Sequence, residues 1–149
     1  MTVWCCLPVQ LPSVLQFPES RKIRTVPALS SVSSERVFTL RTVEDTLRIR
    51  RFVQDQKPKT AVLAGGGFIG LEMAENLAER GVHVTVVEGA SHVMPPIDMD
   101  MAHQVHNYIR AQGIDLYLGQ TCTAMDKDGV ILKDGRKIPA DMVILSIGV

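Results

Sequence analysis

The stretch TAVLAGGGFIGLEMAENLAERGVHVTVVEGA, residues 60–90, decides the fold. TAVLA (60–64) is a short apolar run of the kind that is buried on both faces of a parallel sheet. FIGLEMAENLAER (68–80) instead repeats its apolar residues at helical spacing, with Ile69, Met73 and Leu77 beside Ala74 and Ala78. Gly81 stops that helix, and HVTVV (83–87) returns to strand character. Strand, glycine turn, helix and strand make a complete βαβ unit.

The turn carries the chemistry. Gly65, Gly67 and Gly70 fit G-x-G-x-x-G, with Gly66, Phe68 and Ile69 in the intervening positions. The first glycine permits a tight turn, the second lets backbone approach a pyrophosphate with no Cβ in the way, and the third lets helix pack closely on strand. The helix N-terminus behind them offers free N–H groups and the positive end of its dipole. Such a pattern alone is weak. Here a strand precedes it, a helix follows it, and Glu88 answers it from the end of the second strand, about 20 residues on, where the dinucleotide fingerprint places its acid. A carboxylate there accepts from the ribose hydroxyls and repels a 2′-phosphate. EGASH (88–92) offers no Arg or Lys to pair such a phosphate, so NAD(H) is expected over NADP(H), with His92 the one cation able to reach that region when protonated.

Outward from this unit the elements continue. VFTL (37–40) reads as a strand, and RTVEDTLRIRRFVQ (41–54) as a helix with an apolar stripe of Val43, Leu47, Ile49, Phe52 and Val53, opened by a capping box at Thr42 and Asp45 and followed by Pro58. A further helix begins near Asp98 and ends at Gly113; IDLYL, TCTAM and GVILK then read as strands, and DMVILSIGV (141–149) as a last apolar strand. The expected fold is α/β: a Rossmann-like βαβ NAD-binding domain with a parallel sheet plus a small antiparallel meander, preceded by an irregular N-terminal segment.

Composition narrows the function classes. Sixteen basic and sixteen acidic residues leave no net charge to hold nucleic acid or an anionic membrane surface. No apolar run approaches the roughly 20 residues that cross a bilayer, and the opening lacks the basic n-region of a secretory signal, so a cytoplasmic setting is expected. The three cysteines, Cys5, Cys6 and Cys122, show neither C-x-x-C nor metal-ligand spacing, and no metal site is expected.

AVLAGGGFIGLEMAENLAERGVHVTVVE closely resembles the pyridine nucleotide-disulfide oxidoreductases, in particular the NADH oxidase, NADH peroxidase and coenzyme A-disulfide reductase branch; RVFTLRTVEDTLRIR, MPPIDMDMA and DMVILSIGV resemble the same branch. The resemblance covers Arg36 to Val149. It implies an NAD domain inserted between two halves of an FAD domain, with hydride passing from NADH to flavin. It assigns Phe68 to the aromatic that gates the nicotinamide pocket, Glu72 to the residue near the nicotinamide carboxamide, and Gly148 to the glycine closing the strand that returns to the FAD domain. The cofactor-binding set is therefore Gly65, Gly66, Gly67, Phe68, Ile69, Gly70, Glu72, Glu88 and Gly148. It also implies an arrangement of residues 36–57 as strand and linker helix from the FAD-domain junction, residues 58–149 as the NAD(H)-binding domain, and a parent that is commonly homodimeric. The family's first FAD-binding unit, its redox cysteine and its C-terminal FAD portion have no match in these residues. The chain is thus expected to be an NADH-binding fragment that does not retain FAD and has no catalytic residue or turnover of its own; the alternatives are a stand-alone non-catalytic nucleotide-binding module and a non-functional truncated gene product.

Residues 1–35 read as irregular, and their origin is testable with the genetic code. Back-translated and read one nucleotide earlier, MTVWCC forces Asp, Val and Leu at the second, fifth and sixth positions, and its degenerate codons permit the family's FAD-domain segment YDxLVLSTGA. Met1 to about Arg24 is therefore expected to be a frame-shifted reading of that segment, with no redox role for Cys5 or Cys6 and with Trp4 outside the fold.

Overall fold

The computed structural model describes residues 35–147. The expectations placed on residues 1–34, including Trp4, Cys5 and Cys6, and on Gly148 lie outside the described residues.

The chain runs β1 (Val37–Thr39), α1 (Val43–Gln56), β2 (Thr60–Ala64), α2 (Phe68–Ala78), β3 (His83–Glu88), α3 (Met99–Ala111), β4 (Asp115–Leu118), β5 (Cys122–Met125), β6 (Gly129–Leu132), β7 (Lys137–Pro139) and β8 (Met142–Leu145). Five strands form a parallel sheet in the order β1-β8-β2-β3-β4, and β5-β6-β7 form a separate antiparallel meander. The parallel sheet and meander match the expected α/β class. The meander has a third strand, Lys-Ile-Pro at 137–139, too short and too polar to announce itself by alternation.

Period-two alternation sorts the central strands onto two cores. Ala61, Leu63, Val84, Val86, Met142 and Ile144 face the helices, while Val62, Ala64, Val87, Val143 and Leu145 face the meander. Val62, Leu63, Val143 and Ile144 have no exposed surface at all. Burying each such side chain contributes about 1.5–3 kcal/mol, which explains why these strands read as unbroken apolar runs.

The helix starts follow local chemistry. Thr42 caps α1: its side chain accepts from Asp45 N–H, and the Asp45 carboxylate accepts from Thr42 N–H, closing the capping box. The α1 stripe is narrower than its sequence suggests. Ile49 is buried with Phe52 and Val53 against it, but Val43 and Leu47 are exposed. They lie in the first turns of α1, next to the C-terminal end of β1. Arg36 ties the meander to the sheet by donating to the carbonyls of Lys127, Ala140 and Asp141.

Candidate functional site

Parallel strands end together, so the residues that follow β8, β2, β3 and β4 gather at one edge of the sheet. There they line a cleft of about 660 Å³. Its position outside the carboxyl ends of parallel strands is where open α/β sheets bind ligands. Across it, in strand order, lie Ser146 and Ile147 after β8, Gly65, Gly67, Phe68 and Ile69 after β2, Glu88 and Gly89 at β3, and Gln120 to Cys122 after β4. Met94, Pro95 and Pro96 close it from the β3–α3 loop.

The glycine turn is fixed by several independent contacts. Gly65 has φ +113°, a conformation open chiefly to glycine. Its N–H donates to Val87 O at 2.9 Å, anchoring the turn to β3. Ser146, buried at the end of β8, donates its backbone N–H to Ala64 O at 2.9 Å, and its Oγ lies 3.1 Å from the carbonyls of Ala64 and Gly65. Gly70 allows the turn and helix to meet: a methyl group there would sit 2.3 Å from Gly65 O and 2.7 Å from Ser146 Oγ. At Gly67 the same methyl would meet no protein atom within 4 Å. The third glycine is thus required by the protein's own packing, while the second leaves space that a ligand can enter.

Gly67 also N-caps α2 and makes no side-chain cap bond. The first-turn N–H groups therefore remain for an anion. Glu88 stands beside them with both carboxylate oxygens engaged: Oε2 accepts from Gly66 N–H at 2.6 Å and Oε1 from Ala90 N–H at 2.8 Å. Gly66 is held on its other side as well, because Met94 N–H donates to Gly66 O at 2.8 Å. Met94 takes φ +51° to make this bond, an uncommon backbone for a residue with a side chain. Val93, fully buried beside it, donates its N–H to His106 Nε2 at 3.2 Å. Burial, with Arg110, His103 and His92 nearby, holds the His106 imidazole below its ordinary pKa.

Phe68 lines the cleft and is 63% exposed at its mouth. Ile69 is also exposed there, so it is no part of the α2 core face that its helical spacing suggested. Glu72 lies outside the cleft, in a shallow groove with Leu40, Thr46, Phe68 and Asn76, and its Oε1 accepts from Asn76 Nδ2 at 3.3 Å. The cleft also contains residues that the motif did not select: Ser146, Gln120, Cys122 and the Met94–Pro96 loop. Cys122 is buried, and desolvation pushes its thiol up to about 11. Among the described residues no group of His, Cys, Asp and Glu is arranged to hold a metal ion, and no helix is long and apolar enough to cross a membrane.

The comparisons with known proteins agree with this geometry. A family model for pyridine nucleotide-disulphide oxidoreductases matches residues 19–149. An NADH oxidase of Methanocaldococcus jannaschii is 35% identical over 128 residues, covering 83% of this chain and 29% of that protein. The crystal structure of reduced Bacillus anthracis CoADR-RHD superposes with TM-score 0.73 at 47% identity, over 75% of this chain and 20% of that one. The water-forming NADH oxidase from Lactobacillus brevis, bound to NADH, gives TM-score 0.69 at 28% identity, over 83% of this chain and 28% of that one. The chain therefore spans about a third or less of the length of each of these proteins. By the extent of the family match and the parallel sheet with its glycine turn, the chain belongs to the pyridine nucleotide-disulphide oxidoreductase family.

Proposed function

We propose that the cleft binds NADH, and that this chain is the NADH-holding part of an FAD-dependent oxidoreductase. The observation that carries the reading is the pairing of an uncapped α2 N-terminus at Gly67 with the carboxylate of Glu88, fixed beside the glycine turn. In this reading the N–H groups of the first α2 turn take the pyrophosphate, Gly67 leaves it room, and Glu88 accepts from the adenosine ribose hydroxyls. The Glu88 charge disfavours a 2′-phosphate, so NADH is preferred over NADPH. Gly65 and Gly70 shape the turn and Gly66 positions Glu88, while Phe68 and Ile69 flank the nicotinamide end, with Phe68 covering that pocket and Glu72 at the approach to the carboxamide. Gly148 closes the last strand.

When bound, the reduced nicotinamide supplies a hydride, for which the acceptor in the whole enzyme is a flavin. The residues of this chain orient the donor and need not move a proton. In this scheme residues 58–149 form the NAD(H)-binding domain and 36–57 the junction toward the FAD domain. The exposed apolar side chains Val43, Leu47, Phe68, Ile69 and Ile147 would be covered by that domain. The polypeptide as given carries one dinucleotide glycine turn, and we assign it to NADH; FAD is not retained, and the terminal acceptor belongs to the longer protein. The opening of the chain, ahead of the family match that begins at residue 19, is proposed to be the frame-shifted segment, which the coding DNA would refute by failing to encode the family's FAD-domain strand in the earlier frame.

The test is calorimetric titration of the purified 149-residue protein with NADH, NADPH and FAD. The reading expects saturable NADH binding, weaker NADPH binding and no retained flavin. A folded protein that binds no NADH would refute it, and one that carries stoichiometric flavin and oxidises NADH would refute the limit to binding.

A further inference from the structure

We propose that Gln120 reads the adenine ring: its side-chain Oε1 accepts a hydrogen bond from the exocyclic amino group of a dinucleotide in the cleft. The inference rests on the NADH reading of the cleft and deepens it to a specificity residue outside the glycine fingerprint.

Among the described residues Gln120 Oε1 is a buried side-chain polar atom without a hydrogen-bond partner. A buried acceptor left unpaired is costly, and native structures rarely keep one without a reason. Gln120 lines the cleft, so the missing donor can come from a ligand.

Its place in the strand order says which part of the ligand. The glycine turn follows β2 and takes the pyrophosphate; Glu88 ends β3 and takes the adjacent ribose; Gln120 follows β4, one strand farther in the same direction. Phe68, which opens α2 after β2, and Ile147, which follows β8, lie on the opposite side, at the nicotinamide end of the proposed reading. The group beyond the ribose on the β4 side is therefore the base. The spacing between Glu88 and Gln120 is rigid, because Gln120 N–H donates to Glu88 O at 3.1 Å and Gly119 N–H to Ala90 O at 2.9 Å. Cys122, whose thiol is neutral at physiological pH, adds an unionised, polarisable wall next to Gln120.

The chemistry is directional. The adenine amino group only donates, and the Gln120 carbonyl oxygen only accepts. Hypoxanthine carries a carbonyl in place of that amino group, so it can pair only if the Gln120 amide turns over to present its NH2, a rearrangement that the carboxylate of Gln120→Glu cannot imitate. Sites built to bond one polar group reject the analogue that lacks it.

The experiment compares the binding of NADH with that of reduced nicotinamide hypoxanthine dinucleotide by calorimetry, so the readout is affinity and needs no turnover. The wild-type protein is expected to bind NADH at least about tenfold more tightly. Gln120→Met, which keeps length but removes the acceptor, should bring the two affinities within about twofold. Gln120→Glu, whose carboxylate accepts only, should keep the preference for adenine even where overall affinity falls. Circular dichroism and thermal melting check each variant's fold, and the wild-type comparison requires no variant. If neither dinucleotide binds the folded protein, the NADH reading fails and this inference with it. If NADH binds but the wild type does not discriminate, or Gln120→Met still does, the assignment of Gln120 alone is overturned.

Discussion

Gly66 N–H donates to Glu88 Oε2 at 2.6 Å, so the middle of the glycine turn and the acid that answers it form one rigid unit across β2 and β3. Glu88 Oε1 meanwhile holds Ala90 N–H. Replacing Glu88 with Ala should therefore loosen two loops and, on the proposed NADH reading, remove the ribose acceptor as well. The expected result is a stability loss of about 1–3 kcal/mol, at least tenfold weaker NADH binding, and a smaller preference for NADH over NADPH. Chemical denaturation and calorimetry would measure these; an unchanged NADH to NADPH ratio would remove Glu88 from cofactor choice.

Gly67 and Gly70 should separate function from stability. At Gly70 a methyl would overlap Gly65 O and press on Ser146 Oγ, and at Gly67 it would enter open space. Gly70→Ala is expected to cost about 1–3 kcal/mol or more, in the range of overpacked cores, and to lower the melting temperature accordingly. Gly67→Ala should melt within a few degrees of wild type yet bind NADH at least tenfold more weakly. The reverse pattern would contradict the roles given to the two glycines.

His106 makes stability depend on pH. The folded protein holds its neutral form, which accepts Val93 N–H, while the unfolded chain titrates near the ordinary value of 6.5. A lowered folded pKa means that the unfolded state binds more protons as the pH falls below that value. The His106 contribution is therefore fully present above about pH 6.5, declines through the interval down to the folded pKa, and levels off below it. Urea denaturation at a series of pH values should show the decline, and His106→Gln, whose amide oxygen can accept the same N–H, should flatten it. Equal slopes in the two proteins would contradict the assignment.

Cys122 should be chemically quiet. It is 4% exposed, and its thiol is pushed up to about 11, so little thiolate exists at pH 8. Peptide mapping after iodoacetamide treatment should find Cys122 unmodified in the folded protein and alkylated in urea. Rapid alkylation without denaturant would show that the wall of the cleft opens.

The βαβ core was legible because its signals are local and agree with one another. The apolar run 60–64, the helical spacing of Ala74 and Leu77, and the glycines between them each demand one backbone form. The capping box at Thr42 was visible for the same reason. Exposure was harder to read. Val43, Leu47 and Ile69 have core chemistry and helical spacing, yet all three are exposed, Ile69 at the cleft and Val43 and Leu47 in the first turns of α1, and periodicity does not register where a helix ends relative to a sheet. The site was legible only where a motif marks it. Ser146, His106 and Gln120 join it through long-range contacts: Ser146 meets Ala64, His106 meets Val93, and Gln120 meets Glu88, pairings that no short-range spacing encodes.

The most direct test of the central claim is a calorimetric comparison of NADH and NADPH binding to the wild-type protein and to Gly67→Ala. The account predicts saturable NADH binding at one site, NADPH at least about tenfold weaker, and loss of NADH affinity in a Gly67→Ala protein that melts like wild type. Failure of the folded wild type to bind NADH, or equal NADH affinity in the two proteins, would contradict it.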